Sequence, residues 1–372
     1  MKIGYDAKRI FHNSTGLGNF SRDLVKIMSA YYPENQYFLF NPKEPKINRL
    51  EIKSNMRVIM PQGFIDKKLP SLWRSKTILK DIKKNKLDIF HGLSGEIPIG
   101  IEKTKTKSVV SIHDLIFLRY PELYKVLDRK IYERKFKDSA LRADKIVSIS
   151  EQTKKDLTHF FKIPENKIEV IYQGCHQVFK TLYLEKQQKE ILDKYNIPEN
   201  FILNVGTIEE RKNALTIVKA IKDTDIPLVI VGRKTEYSDR ISHYVQENKM
   251  QDQVIMLEGL DLKELAILYQ AAKVFVYPSI FEGFGIPIIE ALFSRTPVIT
   301  NSKGVFPEAA GPYSIYLENV LDEKEMQEKI LYAWNNDLYE EIEKSHRFVQ
   351  KFDDINIAKN WKNLYDNLLN RP

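Results

Sequence analysis

The strongest indication of the fold comes from residues 277–292, YPSIFEGFGIPIIEAL. The apolar, β-branched run that ends at Tyr277 predicts a buried strand, and Pro278 stops it. A loop with two glycines follows. Pro287 then suits a first helical position, where the N–H that proline lacks needs no partner, and the apolar residues after it fall on one helical face. The stretch therefore predicts a strand, a loop and a helix, the repeating unit of an α/β sheet.

The loop in this stretch has the chemistry of a ligand site. Gly283 and Gly285 let the backbone approach a ligand because no Cβ stands in the way, and the start of a helix attracts an anion. Glu282 lies at the mouth of the loop and Glu290 lies about one turn into the helix. A carboxylate can accept two hydrogen bonds from a vicinal diol such as a ribose or a sugar. An ordinary turn with two solvated glutamates is the alternative interpretation.

The same alternation of apolar runs and helix-length segments occurs in both halves of the 372 residues. A chain of this length favours two domains, since single cores stop growing at about 250–300 residues. We expect a first Rossmann-like α/β domain at 1–174, a linker at 175–197 and a second at 198–353. The predicted strands are 2–5, 37–40, 57–60, 87–90, 108–112, 145–149 and 168–172 in the first domain, and 201–205, 227–231, 253–257, 273–277, 297–300 and 314–317 in the second.

Two features of the first predicted domain are candidate ligand sites. His113 and Asp114 follow the strand at 108–112, at the sheet edge where open α/β sheets bind ligands. A structural histidine is the alternative, and Asp114 either orients His113 or binds an acceptor hydroxyl. Gly16 and Gly18 lie in the turn between the first strand and its helix. This turn either admits a pyrophosphate or is a tight connection, because the third glycine of the dinucleotide fingerprint is missing.

Two adjacent cations mark the second predicted domain. Arg211 and Lys212 lie just before a predicted helix, whose N-terminus disfavours positive charge, so their placement suggests that an external anion meets them. Arginine can chelate a phosphate through two hydrogen bonds, whereas lysine acts as a point charge. The alternative is a pair of exposed cations partnered by Glu209 and Glu210.

The formal net charge of +8 invites a polyanionic partner. The excess is concentrated at 67–86, where lysines and arginines share a run with apolar residues at near-helical spacing around Trp73. One interpretation is a basic amphipathic helix resting on anionic lipid headgroups. The other is a lysine-rich helix packed on its own domain. No nucleic acid is expected as a partner, since no helix-turn-helix, zinc-finger or RNP-type pattern occurs.

Expectations about compartment and metal follow from what the sequence lacks. Cys175 is the only cysteine, so no internal disulfide can form and the cytoplasm is the default compartment. No apolar run is long enough to span a bilayer, and the N-terminus lacks the apolar region of a secretion signal. No His/Cys cluster has metal-ligand spacing. The D-x-D at 223–225 lies between a predicted helix and strand, which indicates a turn, so no metal is expected.

The motifs together resemble a known family. Glu282-Gly283-Phe284-Gly285, Pro287 and Glu290-Ala291 resemble the E-x7-E signature of the family 4 glycosyltransferases. The resemblance implies a GT-B fold, in which two Rossmann-like domains face a cleft and a C-terminal helix, here within 354–372, crosses back to the first domain. It also implies a retaining, metal-independent hexosyltransferase that uses a nucleotide sugar, with the donor in the second domain and the acceptor in the first.

The resemblance also implies roles for individual residues. Many family members have arginine where Thr207 stands, and glycine is usual where Arg295 stands, so one phosphate contact and one turn differ here. The implied catalytic residues are His113, Arg211, Lys212 and Glu282. The implied donor-binding residues are Gly16, Gly18, Gly206, Thr207, Gly283, Phe284, Gly285, Ile286 and Glu290, and the acceptor-binding residue is Asp114.

Similarity to bacterial surface-polysaccharide mannosyltransferases at 112–115 and 205–213 favours GDP-mannose as the donor, with a UDP-sugar as the alternative. The implied acceptor is a hydroxyl of a glycan or a lipid-linked glycan, with no cofactor, in the cytoplasm or at the inner face of the membrane. Two other functions stay open. One is a nucleotide-sugar epimerase of the same architecture, which would need further acid/base groups. The other is a non-catalytic protein that binds polyanions with a steep salt dependence.

Overall fold

The computed structural model describes residues 1–370. The chain forms two compact units. The first unit comprises Met1–Gln173 and the segment from Asp354 onward, and the second comprises Gly174–Asp353. Each unit is built around one parallel β-sheet. The expected α/β class with two parallel sheets is therefore confirmed.

The first unit contains seven strands and the second contains six within the part of the chain that the structure describes. Their bounds are β1 Lys2–Asp6, β2 Gln36–Phe40, β3 Met56–Ile59, β4 Ile89–Gly92, β5 Lys107–Ile112, β6 Lys145–Ser148, β7 Ile168–Val170, β8 Ile202–Val205, β9 Leu228–Val231, β10 Val254–Leu257, β11 Val274–Tyr277, β12 Val298–Asn301 and β13 Ile315–Leu317. The sheet orders are β3-β2-β1-β4-β5-β6-β7 and β10-β9-β8-β11-β12-β13. In both sheets the order reverses beside the first strand, which is where doubly wound folds bind ligands.

Helices form most of the crossover connections that parallel pairing requires, although none lies between β2 and β3. Their bounds are α1 Lys8–His12, α2 Gly16–Tyr31, α3 Phe64–Lys68, α4 Pro70–Leu72, α5 Leu79–Asn85, α6 Ile116–Arg119, α7 Val126–Arg142, α8 Glu151–Phe161, α9 Glu185–Tyr195, α10 Ala214–Ala220, α11 Glu236–Glu247, α12 Leu262–Ala271, α13 Ile286–Phe293, α14 Phe306–Ala310, α15 Glu323–Asn335, α16 Tyr339–Val349 and α17 Asp354–Leu369. A π-helical turn, Trp73–Thr77, lies between α4 and α5.

The first sheet is covered on both faces, because alternate residues of a strand point in opposite directions. In β2, Tyr37 and Leu39 belong to an apolar cluster that includes residues of α2 and α17. Phe38 and Phe40 belong to a second cluster, which contains Trp73. Strands buried in this way are largely apolar, which makes them detectable in the sequence. Every predicted strand is present with its ends shifted by no more than two residues, including the edge strand β3, in which Arg57 and Val58 are exposed.

A buried polar network holds α17 on the first sheet. His91 pairs with Tyr5 in the register of β4 and β1. The hydroxyl of Tyr365 lies 2.8 Å from Nδ1 of His91, and Nε2 lies 2.8 Å from Oγ of Ser111. Burial, together with the charge of His113, lowers the pKa of His91 to about 3, so this ring is neutral near pH 7. The network therefore joins α17 to the sheet through uncharged hydrogen bonds.

The segment expected to be a linker, 175–197, lies within the second unit. It contains α9, whose Leu192 is buried. The backbone N–H of Tyr183 donates to Gln270 of α12 at 2.8 Å, and Lys194 forms an ion pair with Glu264. Only one face of α9 contacts the core, so most of the segment is polar. This composition is the reason that the sequence indicated a linker.

The basic run at 67–86 is not one continuous amphipathic helix. It is divided among α3, α4, the π-helical turn and α5. Trp73, Ile78 and Ile82 are buried in the core of the first unit. This burial agrees with the second interpretation, in which the run packs on its own domain. The exposed apolar side chains lie earlier, at Phe64, Ile65, Leu69 and Leu72.

Candidate functional site

The site in the second unit begins at the carboxyl ends of β8 and β11. The loop after β11 runs from Pro278 to Gly285, where α13 begins. Gly285 has φ of 111°, a conformation that favours glycine because a Cβ would be strained there. The N–H of Ile280 donates to the carbonyl of Arg211 at 2.9 Å. This bond joins the two loops and brings their charged side chains together.

Glu282 is the centre of the resulting cluster. Its side chain is only 12% exposed. Oε1 of Glu282 lies 2.9 Å from Nη1 of Arg211 and also contacts the ammonium of Lys212. It further accepts hydrogen bonds from the hydroxyls of Ser279 at 2.7 Å and Tyr277 at 3.0 Å. All of these contacts are made to Oε1 and fix the orientation of the carboxylate. Among residues 1–370 no group donates a hydrogen bond to Oε2, which can therefore accept one from a ligand hydroxyl.

The two cations are held by further contacts. Nη2 of Arg211 lies 2.7 Å from a carboxylate oxygen of Glu209, and Nη1 also donates to the carbonyl of Phe281. Nζ of Lys212 donates to the hydroxyl of Tyr277 at 2.5 Å. The side chains of Arg211 and Lys212 are 18% and 14% exposed. Both cations are thus fixed and largely shielded from water, although Arg211 does have the glutamate partner that the alternative interpretation expected.

The opposite charges in this cluster stabilise one another's ionised forms. Burial alone would raise the pKa of Glu282, but the positive charges of Lys212 and Arg211 outweigh it and lower that pKa to about 2. Burial likewise opposes the charged form of Arg211, yet Glu282 and Glu209 raise its pKa. Burial and the nearby Glu282 carboxylate raise the pKa of Tyr277 well above its usual value. At pH 7 the cluster therefore contains two cations, an ionised glutamate and a neutral tyrosine.

Glu290 lies on α13, eight residues after Glu282. Its Oε2 accepts a hydrogen bond from the hydroxyl of Tyr269 at 3.1 Å. Burial and the carboxylate of Glu290 raise the pKa of Tyr269 well above its usual value, so the tyrosine stays a donor. Ile286 is the first residue of α13. Phe284 is buried against the ring of Phe352 at 5.5 Å between centroids, so its side chain supports the loop.

The loop after β8 contributes Gly206 and Thr207. Gly206 has φ of 147°, and its backbone lies beside the side chain of Lys212. A Cβ at Gly232 would lie 1.7 Å from the carbonyl oxygen of Gly206, so the loop after β9 needs glycine to pack here. The two strand ends therefore approach each other directly beside the cationic cluster.

In the first unit His113 is buried, and both of its ring nitrogens form hydrogen bonds. Its Nε2 lies 2.9 Å from the carbonyl of Leu93, so Nε2 carries the proton and donates. Its Nδ1 then accepts from the amide of Gln173 at 3.1 Å. Burial lowers the pKa of His113 to about 4, even though the Leu93 carbonyl opposes this shift. His113 is thus neutral at pH 7, and it interacts through hydrogen bonds rather than as a positive charge.

The other candidates of the first unit lie at or near the starts of α6 and α2. The carboxylate of Asp114 accepts from the N–H of Ile116 at 3.2 Å, at the start of α6. Gly18 lies in α2, and its N–H donates to Oδ1 of Asn13 at 3.1 Å. A Cβ on Gly18 would lie 1.9 Å from the carbonyl oxygen of Asn13, so this glycine is needed for packing, whereas Gly16 faces open space.

The structure brings Arg211, Lys212 and Glu282 into one cluster and places Glu290 on the adjoining helix. Sequence reasoning missed three hydroxyl groups in this part of the second unit, which belong to Tyr269, Tyr277 and Ser279. Tyr277 had a detectable signal, since it is the last residue of a buried strand and lies at the ligand-binding edge. In residues 1–370 no group of His, Cys, Asp and Glu is arranged to hold a metal ion. No helix in that part of the chain is long and apolar enough to cross a bilayer.

Two family models match the sequence of this chain. The family described as Glycosyltransferase Family 4 matches residues 36–176, and Glycosyl transferases group 1 matches residues 187–352. The O-antigen chain mannosyltransferase RfbU of Salmonella typhimurium (strain LT2) is 31% identical over 258 residues, which are 68% of each chain. O-antigen chain mannosyltransferase B of Escherichia coli is 26% identical over 363 residues, 92% of this chain and 93% of that one.

The fold also matches solved structures. Sucrose-phosphate synthase from Thermosynechococcus elongatus superimposes with a TM-score of 0.79 at 20% identity, over 99% of both chains. The two parallel sheets thus form the GT-B architecture. Together, the sequence matches and the cluster around Glu282 identify the chain as a member of the family 4 glycosyltransferases, which are nucleotide-sugar-dependent enzymes.

Proposed function

We propose that the protein transfers a hexose, with mannose favoured, from a nucleoside-diphosphate sugar to a hydroxyl of a glycan or lipid-linked glycan, in bacterial surface-polysaccharide synthesis. GDP-mannose is the favoured donor, because two relatives with long matches are named O-antigen mannosyltransferases. The single observation that carries the proposal is the shielded cluster of Arg211, Lys212 and Glu282. Such fixed cations suit the diphosphate of a donor.

The proposed chemistry places negative charge where the cations are. Breaking the bond between sugar and diphosphate leaves charge on the β-phosphate, and Arg211 and Lys212 stabilise it without reorganising. The backbone of Gly206 and Thr207 lies beside Lys212 and would contact the same diphosphate. The α13 N-terminus after Gly285 adds partial positive charge.

Glu282 is proposed to orient the donor sugar. Four donors hold its Oε1, so Oε2 accepts a sugar hydroxyl in a fixed direction. Because its pKa is about 2, Glu282 is ionised at pH 7 and does not act as a general acid. The proposed step retains anomeric configuration: the leaving phosphate accepts the proton of the attacking acceptor hydroxyl. His113 is proposed to contact the donor sugar as a neutral hydrogen-bonding group, and Asp114 to bind the acceptor.

A panel of GDP-, UDP- and ADP-sugars, each with and without a glycan acceptor, tests this function. Binding is measured by calorimetry, and transfer is measured by release of nucleoside diphosphate. We expect one nucleotide sugar to bind and to be consumed faster when an acceptor is present. Binding of no nucleotide sugar would exclude the proposal. Conversion of the sugar without any acceptor, and without release of nucleoside diphosphate, would instead indicate an epimerase.

Replacing Glu290 with glutamine tests the proposed contact with the ribose. The hydrogen bond from Tyr269 can persist on the amide oxygen, but the charged acceptor for the ribose diol is lost. A hydrogen bond to a charged group contributes about 1.5–3 kcal/mol. The KM for the donor is therefore expected to rise by about tenfold or more, with kcat changed by less than about twofold. Steady-state kinetics measure both constants. Glu236→Gln, at the exposed start of α11, is the control, and a fall in kcat at constant KM would contradict the assignment.

A peripheral contact with anionic membranes is also proposed, at α3 and its flanking residues. Phe64, Ile65 and Leu69 are 73%, 65% and 52% exposed, and two lysines of α3 adjoin them. Anionic lipid attracts such a combination through both apolar burial and charge.

Co-sedimentation with vesicles that contain anionic lipid measures this contact. Changing Phe64 and Leu69 together to serine is expected to reduce binding by about 10²-fold or more, since each apolar side chain contributes about 1.5–3 kcal/mol when buried. Changing Leu182 and Leu184 of the second unit, which are 71% and 74% exposed, to serine is the matched control. Equal loss in both double variants would reject α3 as the contact.

A further inference from the structure

A cavity of about 620 Å³ lies in the first unit, and none of the site residues assigned above lines it. It opens beside the carboxyl ends of β1, β2 and β4, which is the edge where parallel sheets bind ligands. The last residue of β1, Asp6, forms part of its wall. The π-helical turn and the C-terminal half of α7 enclose it from the other sides. Its volume lies in the range of small-molecule binding sites.

The carboxylates of this cavity are all neutralised by ion pairs. Asp6 is buried, and one of its oxygens lies 2.8 Å from Nε and 2.5 Å from Nη2 of Arg74. Glu96 lies 3.2 Å from the same arginine and 3.5 Å from Lys135. Asp138 pairs with Arg142 at 2.6 Å. These four ion pairs involve all three acidic side chains that line the cavity.

Three more lysines line the same cavity without such a partner. Among residues 1–370, no carboxylate lies within 4.0 Å of the ammonium groups of Lys8, Lys43 or Lys46. Partial burial and the charges of Arg74 and Arg9 lower the pKa of Lys8, although the charges of Glu96 and Asp6 oppose this shift. All three lysines are exposed, and a bound anion would offset the mutual repulsion of these surplus cations. The surface therefore suits an anionic ligand.

An apolar rim adjoins the three lysines. Leu72 and Ile99 line the cavity and are 41% and 54% exposed. The N–H of Ile99 donates to the carbonyl of Ser75 at 2.8 Å, which fixes this residue beside the π-helical turn. Pro70 and Pro98 extend the same rim. A cationic pocket with an apolar edge fits a molecule that joins a phosphate to a hydrocarbon chain.

We propose that this cavity binds the phosphate or diphosphate group of the acceptor, with Lys8, Lys43 and Lys46 as its partners and Leu72 and Ile99 against an apolar chain. Its role in transfer rests on the proposed function. Binding itself does not, because it concerns residues of the first unit alone. The shared chemistry is phosphate, which a lipid-linked glycan or a free sugar phosphate could supply.

Calorimetry of the full chain with geranyl diphosphate, inorganic pyrophosphate and geraniol distinguishes these sources. We expect geranyl diphosphate to bind most tightly. Its dissociation constant is expected to rise about tenfold or more when Lys8 and Lys46 are both changed to glutamine. Lys26→Gln with Lys53→Gln, at two exposed lysines of the same unit outside the cavity, removes the same net charge and is expected to have no effect.

Several outcomes would overturn the proposal. If both double variants bound geranyl diphosphate equally weakly, the loss would come from net charge and not from the cavity. If geraniol bound as tightly as geranyl diphosphate, a phosphate site would be excluded. Pyrophosphate binding as tightly as geranyl diphosphate would reject the apolar part and assign the cavity to free phosphorylated sugars. Titration with GDP-mannose separates the two hypotheses. A protein that binds geranyl diphosphate but no nucleotide sugar would keep the cavity and lose the proposed transfer.

Discussion

Replacing Lys212 with methionine is expected to lower kcat by about 10²–10³-fold, the usual cost of removing one preorganised group that stabilises transition-state charge. The ammonium of Lys212 is held by Tyr277 and Glu282 and is 14% exposed, so in the proposed reaction it would need no reorganisation when charge develops on the leaving phosphate. Methionine retains the apolar stem of the side chain and removes only the charge. Donor binding is expected to weaken less than kcat falls, because the developing charge exceeds that of the bound ground state.

Single-turnover kinetics with saturating nucleotide sugar separate the chemical step from binding. Lys219→Met is the matched control. Lys219 lies on α10, the first α-helix after Lys212, and forms an ion pair with Glu323. Its side chain is 33% exposed. It is expected to leave kcat unchanged. If Lys212→Met changed KM alone, Lys212 would be a ground-state contact and the proposed charge stabilisation would be wrong.

Replacing Glu282 with glutamine is expected to cost about 3–5 kcal/mol of unfolding free energy at pH 7, the range for breaking a buried ion pair. The carboxylate lies between Arg211 and Lys212, and its removal leaves both charges shielded without their common partner. Transfer is expected to fall as well, since the oriented Oε2 is lost. Urea denaturation measures the first effect, and turnover measures the second. Glu209→Gln, which removes the more exposed partner of Arg211, is the control and is expected to cost about 1 kcal/mol or less.

The pH dependence of the Glu282 effect has a definite sign. The pKa of Glu282 is lowered from 4.5 to about 2 in the folded protein, so its stabilising contribution is complete above about pH 4.5. That contribution is lost as the pH falls from this value towards about 2. The difference in unfolding free energy between the wild type and Glu282→Gln is therefore expected to shrink over this window. A difference that stayed constant from pH 7 to pH 3 would mean that the ion pairs do not stabilise Glu282.

The strands could be predicted because burial on both faces leaves a continuous apolar run, as in residues 274–277, whatever the tertiary context. Helix α9 could not, because its single buried contact, through Leu192, is indistinguishable from a chance apolar residue in a polar segment. The basic run at 67–86 was ambiguous for a related reason. Apolar spacing identifies a face but does not say what covers it, and here the core of the first unit covers Trp73.

The charged residues of the site could be proposed from sequence, but their pairing could not. Arg211 and Glu282 are separated by about seventy residues, and only the parallel placement of β8 beside β11 brings them into contact. The states of the ionisable groups depend on the same packing. His113 is neutral because it is buried between Leu93 and Gln173, and neither neighbour is adjacent to it in the sequence.

Helix α17 has a consequence for the order of events during protein synthesis. The first unit requires Trp361 and Tyr365 to complete one of its two apolar clusters, yet these residues are translated after the whole of the second unit. Domains generally fold as they leave the ribosome, starting from the N-terminus. On a translating ribosome the first unit would therefore keep apolar surface exposed to solvent, while the second unit completes its core first. Nascent chains of this protein should accordingly recruit chaperones until α17 has left the ribosome.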